Sequence, residues 1–372
     1  MATNEIELQE MLNISGEVAQ TIGQEFNGKK CANVVFSGDR ELKRTPLTIQ
    51  GKPIEYRDGY KYLGVEIVNG VDIFRKEAGN RKDRARRGQQ LVWNKALWSC
   101  NRFLVTRELW KSLFVPTVTY ANAVVIMDTH TLNSPDTTQR VVARHALRCR
   151  FTCPTQFLEG EFGASSFWAR DAQAKVSYEA RLRLLLREGV DNVAAEILYA
   201  KDMTHIRSSW NRRVQFLKRR YNCEVDVEQH RGNMKVVSRA IKRIINKESE
   251  QRWKKEMERK SSLQFYRENK CVYGLDAILY SNSHASGLFA DCRAGMLNTN
   301  IMKAKYSQVI STKCRLCDKE EETIEHIVIN CDVLGSRTAS LKEALGFTEE
   351  KQWNDISETK RRLAIWAAHG KE

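Results

Sequence analysis

The sequence has no apolar run of the roughly 18 residues that a membrane-spanning helix needs, so we expect no membrane partner. Its first residues, MATNEIELQE, are acidic and lack the apolar centre of a signal peptide. The ten cysteines are scattered, without the even framework of a secreted disulfide-bonded protein, which indicates a reducing compartment. These absences predict a nuclear or cytoplasmic protein.

Two common catalytic signatures are missing as well. The sequence contains no GxxxxGK[ST] phosphate-binding loop and no Ser/His/Asp motif. We therefore expect no small-molecule substrate for this chain by itself.

Proline is scarce, with five residues in 372, and only Pro116, Pro135 and Pro154 lie between residues 71 and 275. Because proline breaks helices, its near absence there predicts a mostly helical segment. Before it, residues 5–22 have apolar residues near one helical face, and Gly23 closes that helix.

A different pattern follows this first helix. The stretches NVVFS at 33–37 and YKYLGVEI at 60–67 predict strands, and GDR, IQGKPI and RDGY predict the turns between them. A helix followed by short antiparallel strands is typical of a small α+β unit. The predicted fold is mainly α, with this α+β unit over 1–70, a basic helical region over 71–275 and a small domain stapled by a metal over 276–372.

Acidic residues are few relative to basic ones, and the net charge is +15. This excess indicates a polyanionic partner, with nucleic acid ahead of membrane, although a basic surface can also serve solubility alone. Residues 75–111 contain eleven Lys or Arg, and residues 201–260 are richer still. Aromatic residues lie among these charges and either stack on unpaired bases or form the apolar stripe of a helix. The candidate RNA or DNA contacts in these two regions are Arg84, Arg86, Arg87, Arg212, Arg213, Lys218, Arg219 and Arg220.

Three cysteines and one histidine form the pattern C-x2-C-x8-H-x4-C at Cys314, Cys317, His326 and Cys331. Zinc favours four tetrahedral sulfur and nitrogen ligands, and a C-x2-C turn brings two thiolates to one ion. Four protein ligands leave no open position, so the pattern predicts a structural rather than a catalytic zinc site. The alternative is four buried or incidental residues.

Several segments together resemble the reverse transcriptases of non-LTR retrotransposons. GQEFNGKKCANVVFSG is similar to the family's G-x-x-x-N-x-x-K segment at Gly23, Asn27 and Lys30, and YKYLGVEI resembles its Y-x-Y-L-G primer-grip hairpin. RELWKSLFVPTVTYANAVVIMD looks like its thumb, TTQRVVARHALR like its QR-containing helix, and the C-terminal cluster like its zinc knuckle. The resemblance spans nearly the whole chain in the family's order.

The resemblance implies roles for individual residues. Tyr60, Tyr62, Leu63 and Gly64 match the primer grip, and Lys30 matches a lysine near the incoming nucleotide. The alternative for Lys30 is a solvated turn lysine. The region 1–70 then corresponds to the end of the polymerase palm.

The chain departs from the family at the catalytic carboxylates. Polymerase chemistry needs paired carboxylates that hold two divalent ions, and no Asp-Asp dipeptide occurs in the sequence. The family places these carboxylates upstream of the GQEFN segment, so we expect a truncated RNA-directed DNA polymerase without polymerase activity of its own. Magnesium is expected only together with an upstream catalytic palm. The alternative is a non-enzymatic, transposon-derived protein that binds nucleic acid or a partner.

Overall fold

The computed structural model describes residues 2–36, 45–69, 74–96, 101–187, 196, 208–226, 233–270, 273–274, 280–307, 311–324 and 326–334. Helices dominate these residues and strands are few and short, which confirms the mainly α fold. None of the described helices is long and apolar enough to cross a membrane.

The chain divides into two compact units. We call Met1–Asp83 with Val125–Thr131 the N-terminal unit, and Arg84–Val124 with Leu132–Glu372 the helical unit. The three-part division at residues 70 and 275 stays a prediction.

The first helix, α1, spans Glu5–Thr21 and confirms the helix predicted over 5–22. The Asn4 side chain caps it by accepting a hydrogen bond from the Glu7 N–H. Gly23, just beyond the helix, has a φ of 71°, the left-handed conformation that glycine adopts without strain.

A three-stranded sheet follows α1 in the order β1-β3-β2, with β1 at Ala32–Asn33, β2 at Leu47–Ile49 and β3 at Lys52–Tyr56. The side chain of Gln9 in α1 donates to the Thr48 carbonyl and accepts from the Thr48 N–H, both at 2.9 Å. Strand β3 pairs with β2 through a two-residue turn, Gln50-Gly51, in which both residues have positive φ.

Two sequence-based expectations for this region are wrong. The stretch IQGKPI is not only a turn, because its last three residues begin β3, which is central in the sheet and buries Ile54. The strand predicted over 33–37 is reduced to Ala32–Asn33 among the described residues, since only these two positions pair with β3.

The hairpin predicted from YKYLGVEI is present. Strands β4 at Gly59–Tyr62 and β5 at Val65–Val68 pair antiparallel, with Tyr62 opposite Val65. Leu63 and Gly64 form its two-residue turn with φ values of 46° and 84°. Positive φ at both positions matches the twist of paired strands and explains the glycine at the second position.

The remaining helices build the larger core. They are α2 Arg75–Ala96, α3 Arg102–Leu109, α4 Val115–Thr119, α5 Thr129–Leu147, α6 Thr155–Phe162, α7 Phe167–Arg187, α8 Ser209–Arg220, α9 Met234–Glu258, α10 Gln264–Asn269, α11 His284–Arg293 and α12 Asn300–Ala304. A single turn of π-helix, Trp110–Phe114, joins α3 to α4. Phe103, Trp110, Phe157 and Leu158 are among the side chains that the core buries completely.

A buried carboxylate connects three parts of this core. Glu161 on α6 accepts hydrogen bonds from the Tyr266 hydroxyl at 2.8 Å, the Tyr280 hydroxyl at 2.5 Å and Arg293 Nη2 at 2.8 Å. Burial alone raises a carboxyl pKa, but the charges of Arg293 and Lys270 outweigh it and hold the pKa of Glu161 below its usual value. Glu161 is therefore ionised and fully paired at neutral pH.

Candidate metal centre and basic surface

The structure brings Cys314, Cys317, His326 and Cys331 together at one point. Their ligand atoms all lie within 4.8 Å of one another. The sulfur atoms of Cys314 and Cys331 are 3.9 Å apart, and Cys317 Sγ is 3.2 Å from His326 Nε2. Two sulfur atoms bound to one tetrahedral zinc ion at about 2.3 Å lie about 3.8 Å apart, so the four groups could hold a metal such as zinc.

Backbone hydrogen bonds give the first ligand pair its tight turn. The Cys314 N–H donates to the Glu320 carbonyl at 2.7 Å, and the Asp318 N–H donates to the Cys314 carbonyl at 2.8 Å. Asp318 takes the left-handed conformation, with a φ of 53°, and lets the chain reverse. An isolated antiparallel bridge between Lys313 and Glu321 closes the loop.

The second ligand pair lies at the two ends of one turn of π-helix, His326–Asn330. The N–H of Cys331 donates to the carbonyl of His326 at 2.7 Å, which brings the two side chains of this pair to the same side. The Thr323 hydroxyl accepts from the His326 N–H at 2.9 Å and fixes where the turn begins. The x4 spacing of the sequence pattern is thus one wide helical turn.

A neighbouring carboxylate orients the histidine ring. His326 Nδ1 lies 2.9 Å from Glu320 Oε2, which leaves Nε2 directed at Cys317. Metal-binding histidines commonly have such a partner on the second ring nitrogen. Burial lowers the pKa of His326, but hydrogen bonds with Glu320, Cys314 and Cys317 together outweigh burial and raise it.

Hydrogen bonds from the backbone prepare one thiol for coordination. The backbone N–H of Lys319 and, to a smaller extent, that of Glu320 form hydrogen bonds with Cys317. These hydrogen bonds lower the pKa of the Cys317 thiol to about 7. The thiolate is the form that binds metal, so this environment favours the ligand form at neutral pH.

A fully buried carboxylate attaches the metal-binding loop to α12. Glu322 accepts from the Asn300 N–H at 2.9 Å and from the Arg315 N–H at 2.8 Å, and its side chain forms an ion pair with the Arg315 guanidinium. Arg315 also donates to the Asn298 carbonyl at 2.6 Å. The loop is therefore held to the chain before α12 by contacts that involve no ligand.

The residues of the primer-grip resemblance lie in the N-terminal unit. Tyr62 and Leu63 are exposed at the hairpin turn, beside Gly64. The Tyr60 hydroxyl donates to the carbonyl of Lys30, and the Lys30 side chain is exposed. The two segments that carry the resemblance thus contact each other, while the roles that the family implies for them stay predictions.

The predicted nucleic-acid contacts differ in their surroundings. On α2, Arg84 is half-buried and Arg86 and Arg87 are exposed. On α8, Arg212 and Arg219 are exposed, whereas Arg220 is half-buried, with its guanidinium 4.7 Å from the Trp168 ring centroid. Their binding of nucleic acid stays a prediction.

Two α8 cations are already paired with acidic side chains of α7. Arg213 makes hydrogen bonds of 3.0 and 3.1 Å to Asp171 and also lies over the Trp168 ring, and Lys218 forms an ion pair with Glu179. Both carboxylates are buried. These two cations attach α8 to α7 and would have to break their ion pairs before they could contact a polyanion.

A basic row runs along α9, within the Lys- and Arg-rich region 201–260, but its residues were not among the predicted nucleic-acid contacts. Arg239, Lys242, Arg243 and Lys247 have the spacing of one helical face and are exposed, and they line a shallow groove with Asn246. Among the described residues, none of these four cations has an ion pair. The opposite face buries Val237, Ile241 and Ile245. The i, i+3, i+4, i+8 spacing of the cations is the signal that could have identified them. We call these four cations the α9 basic row.

No model of a known protein family matches this chain, and no curated protein and no solved structure matches it either.

Proposed function

We propose that this chain is a nucleic-acid-binding part of a non-LTR retrotransposon reverse transcriptase, stapled by zinc and without polymerase activity of its own. The order of resembling segments supports the ancestry. The gathered Cys/His cluster supports the zinc ion, with Cys314, Cys317, His326 and Cys331 as its four ligands. Zinc supplies no chemistry here beyond holding the two halves of the loop together, because no ligand position stays open.

The α9 basic row is the observation that carries nucleic-acid binding. Four cations without ion pairs on one helical face can each approach a phosphate and release a counterion. Cations that are held by carboxylates, such as Arg213, would first have to break a buried ion pair. The row therefore has a lower barrier to binding a polyanion than Arg213 and Lys218.

A neighbouring cleft favours a single strand over a duplex. A cleft of about 500 Å³ shares Asn246 and Glu250 with the groove of the α9 basic row. Its walls include the exposed amides of Asn133 and Asn246. Unpaired bases expose hydrogen-bonding edges that such groups can contact, whereas bases in a duplex do not reach out of the stack. We expect tighter binding to single-stranded RNA or DNA.

The test is anisotropy of a fluorescent single-stranded RNA between about 50 and 200 mM salt. Four phosphate contacts predict a slope of log affinity against log salt near −2.8, which is about a 50-fold loss over this range. Changing Arg239, Lys242, Arg243 and Lys247 together to Gln is expected to weaken binding and remove most of that slope.

The matched control removes four other exposed cations, Lys29, Lys61, Lys111 and Lys305, and so changes the net charge equally. It is expected to retain most of the affinity and slope. Equal losses in both variants would show that net charge alone drives binding and would contradict a role for the α9 basic row.

The zinc-binding loop has two possible roles, a structural staple or the recognition module itself. The contacts of Glu322 with Asn300 and Arg315 favour the staple, because they tie the loop to the rest of the chain. Cys331→Ser is expected to lose the zinc, measured by elemental analysis, and to expose the C-terminal region to protease. Single-stranded RNA affinity should persist, and its disappearance in a variant whose helical unit still unfolds cooperatively would favour the recognition role.

The absence of polymerase activity has a direct test. Primer extension on a homopolymer template with magnesium or manganese is expected to yield no product with the pure chain. Clear synthesis that a metal chelator abolishes would contradict this part of the proposal.

A further inference from the structure

Arg102, at the start of α3, is a buried arginine that has no carboxylate partner in the described part of the chain. Its side chain is 5% exposed, and both Nε and Nη2 are buried without a hydrogen-bond partner. Its backbone N–H is bonded to the Asn282 side chain at 2.6 Å, so the start of the helix is fixed in place. The guanidinium is therefore held rigidly, with two of its donor atoms unused.

The other buried arginines of the described residues show how unusual this is. Three arginines are buried there, and two of them are paired, Arg81 with Glu77 and Arg293 with Glu161. An unpaired buried charge is costly, and folded proteins nearly always supply a partner for it. Arg102 is the exception among the described residues, which favours a partner from outside the chain.

Further buried polar atoms without a hydrogen-bond partner lie on α3 itself and on α2 and α5, which pack into the same core as α3. The Thr106 hydroxyl, one turn further along the same face of α3, is buried without a partner. His145 Nε2 and Trp93 Nε1 are also buried and unpartnered, and the two rings lie 5.4 Å apart. The cluster thus contains several buried polar groups that have no hydrogen-bond partner among the described residues.

The charges around the cluster all have the same sign. Burial, followed by repulsion from Arg148, lowers the pKa of Arg102 to about 10. The pKa of His145 is lowered by burial and then by Arg102 and Arg148. Arg148 is exposed and bonded through Nη1 to the Asn282 carbonyl at 3.0 Å, so a second guanidinium stands at the solvent side. No carboxylate contributes to either shift, so an anion would relieve the repulsion.

We propose that Arg102, together with His145 and Trp93, binds a phosphate group. A phosphate group has three or more acceptor oxygens that can take N–H donors from several directions, and its charge matches two guanidinium groups. The buried end of the site binds the oxygens through Arg102, and Arg148 contacts them from the solvent side. This site needs no nucleic-acid binding by the α9 basic row, so each proposal can fail without the other.

The test is thermal unfolding with inorganic phosphate against chloride of equal ionic strength. At ten times the dissociation constant, phosphate is expected to raise the Tm of the full chain by about 3–5 °C. Arg102→Met is expected to abolish this rise and, because it removes an unpaired buried charge, to melt no lower than the unchanged chain in phosphate-free buffer.

The matched control is Arg107→Met on the same helix, since Arg107 is bonded to the Phe162 carbonyl and to Glu108. It is expected to keep the full phosphate response. Arg148→Gln, at the solvent side, provides a second variant that should weaken the response even if Arg102→Met does not fold. A phosphate response that both Arg102→Met and Arg148→Gln retain would overturn the proposal, as would its absence from the unchanged chain.

Two sources of the phosphate group can be separated in the same assay. If a free phosphate or nucleotide is the ligand, inorganic phosphate or a nucleoside monophosphate alone gives the full Arg102-dependent stabilisation. If the ligand is a phosphate of a nucleic-acid backbone, a single-stranded oligonucleotide gives a larger Arg102-dependent shift at a far lower concentration. The variant without the α9 basic row should still respond to inorganic phosphate in both cases.

Discussion

Glu161 is the carboxylate on which the packing of three helical segments depends, and we expect its neutralisation to destabilise the helical unit strongly. Its side chain is completely buried and accepts from Tyr266, Tyr280 and Arg293. Glu161→Gln keeps an oxygen acceptor and nearly the same shape but removes the charge. Arg293, which is 3% exposed, and Lys270, which is 6% exposed, would then lose the carboxylate that both of them contact.

The expected loss of stability comes from the missing negative charge beside buried cations rather than from a change in hydrogen bonding. Removing one member of a buried ion pair typically costs about 3–5 kcal/mol, whereas a neutral hydrogen bond contributes about 1 kcal/mol. For a unit of this size the loss corresponds to a Tm decrease of about 10 °C. Urea unfolding monitored by tryptophan fluorescence measures it directly, with the slope of the transition as a check that unfolding stays two-state.

The double variant Glu161→Gln with Arg293→Met separates charge from packing. Because it removes Glu161 and Arg293 together and keeps the tyrosine hydrogen bonds, but leaves Lys270 beside them, we expect it to recover part of the lost stability. Glu161→Gln at wild-type stability, or a double variant less stable than either single one, would refute the reasoning.

Three further outcomes follow from local geometry. Chelation of the metal is expected to release one zinc ion per chain and to make residues near Cys331 sensitive to protease, while the far-UV signal of the helices changes little. Burial raises the pKa of Glu159 to about 7 despite its contact with Arg140. The native state therefore binds more protons than the unfolded state, so stability should fall as pH rises from about 4.5 to 7, on the order of 3 kcal/mol, and Glu159→Gln should flatten this decline in urea titrations. Gly160→Ala places a Cβ 2.5 Å from the Tyr266 hydroxyl and 2.6 Å from the Trp253 ring, so we expect a loss of about 1–3 kcal/mol by thermal unfolding; an unchanged Tm would contradict that close packing.

Local patterns allowed much of this fold to be predicted from the sequence. The helix over 5–22 follows from its period and from Gly23, and the Leu63-Gly64 hairpin from a strand pair around a glycine. The metal cluster follows from spacing alone, because a C-x2-C turn and one helical turn each bring two ligands together within a few residues. In each case the residues that determine the structure are close in sequence.

Features that depend on distant partners were not predictable. Strand β3 exists because β1 and β2 flank it, although its proline and neighbouring glycine indicated a turn. The Glu161 cluster joins residues more than one hundred positions apart, and nothing in FLEGEF marks the second glutamate as the buried one. Such pairings appear only once the helices are packed.

Distant partners also decide which basic residues are available to bind a ligand, and the sequence alone does not show these partners. In the sequence, WNRRVQFLKRRY reads as a more concentrated cationic surface than α9, yet its Arg213 and Lys218 are bound to buried carboxylates. Among the described residues, the α9 basic row has no such partners and so keeps its charge available, while Arg102 is buried and its Nε and Nη2 atoms have no hydrogen-bond partner. Three arrangements of the same residue types therefore predict three different responses to added anions. Arg213 and Lys218 should be insensitive, and the α9 row should bind a polymer with strong salt dependence. Arg102 should bind a single phosphate group whose effect persists at salt concentrations that release the polymer, because buried charges are screened far less than exposed ones.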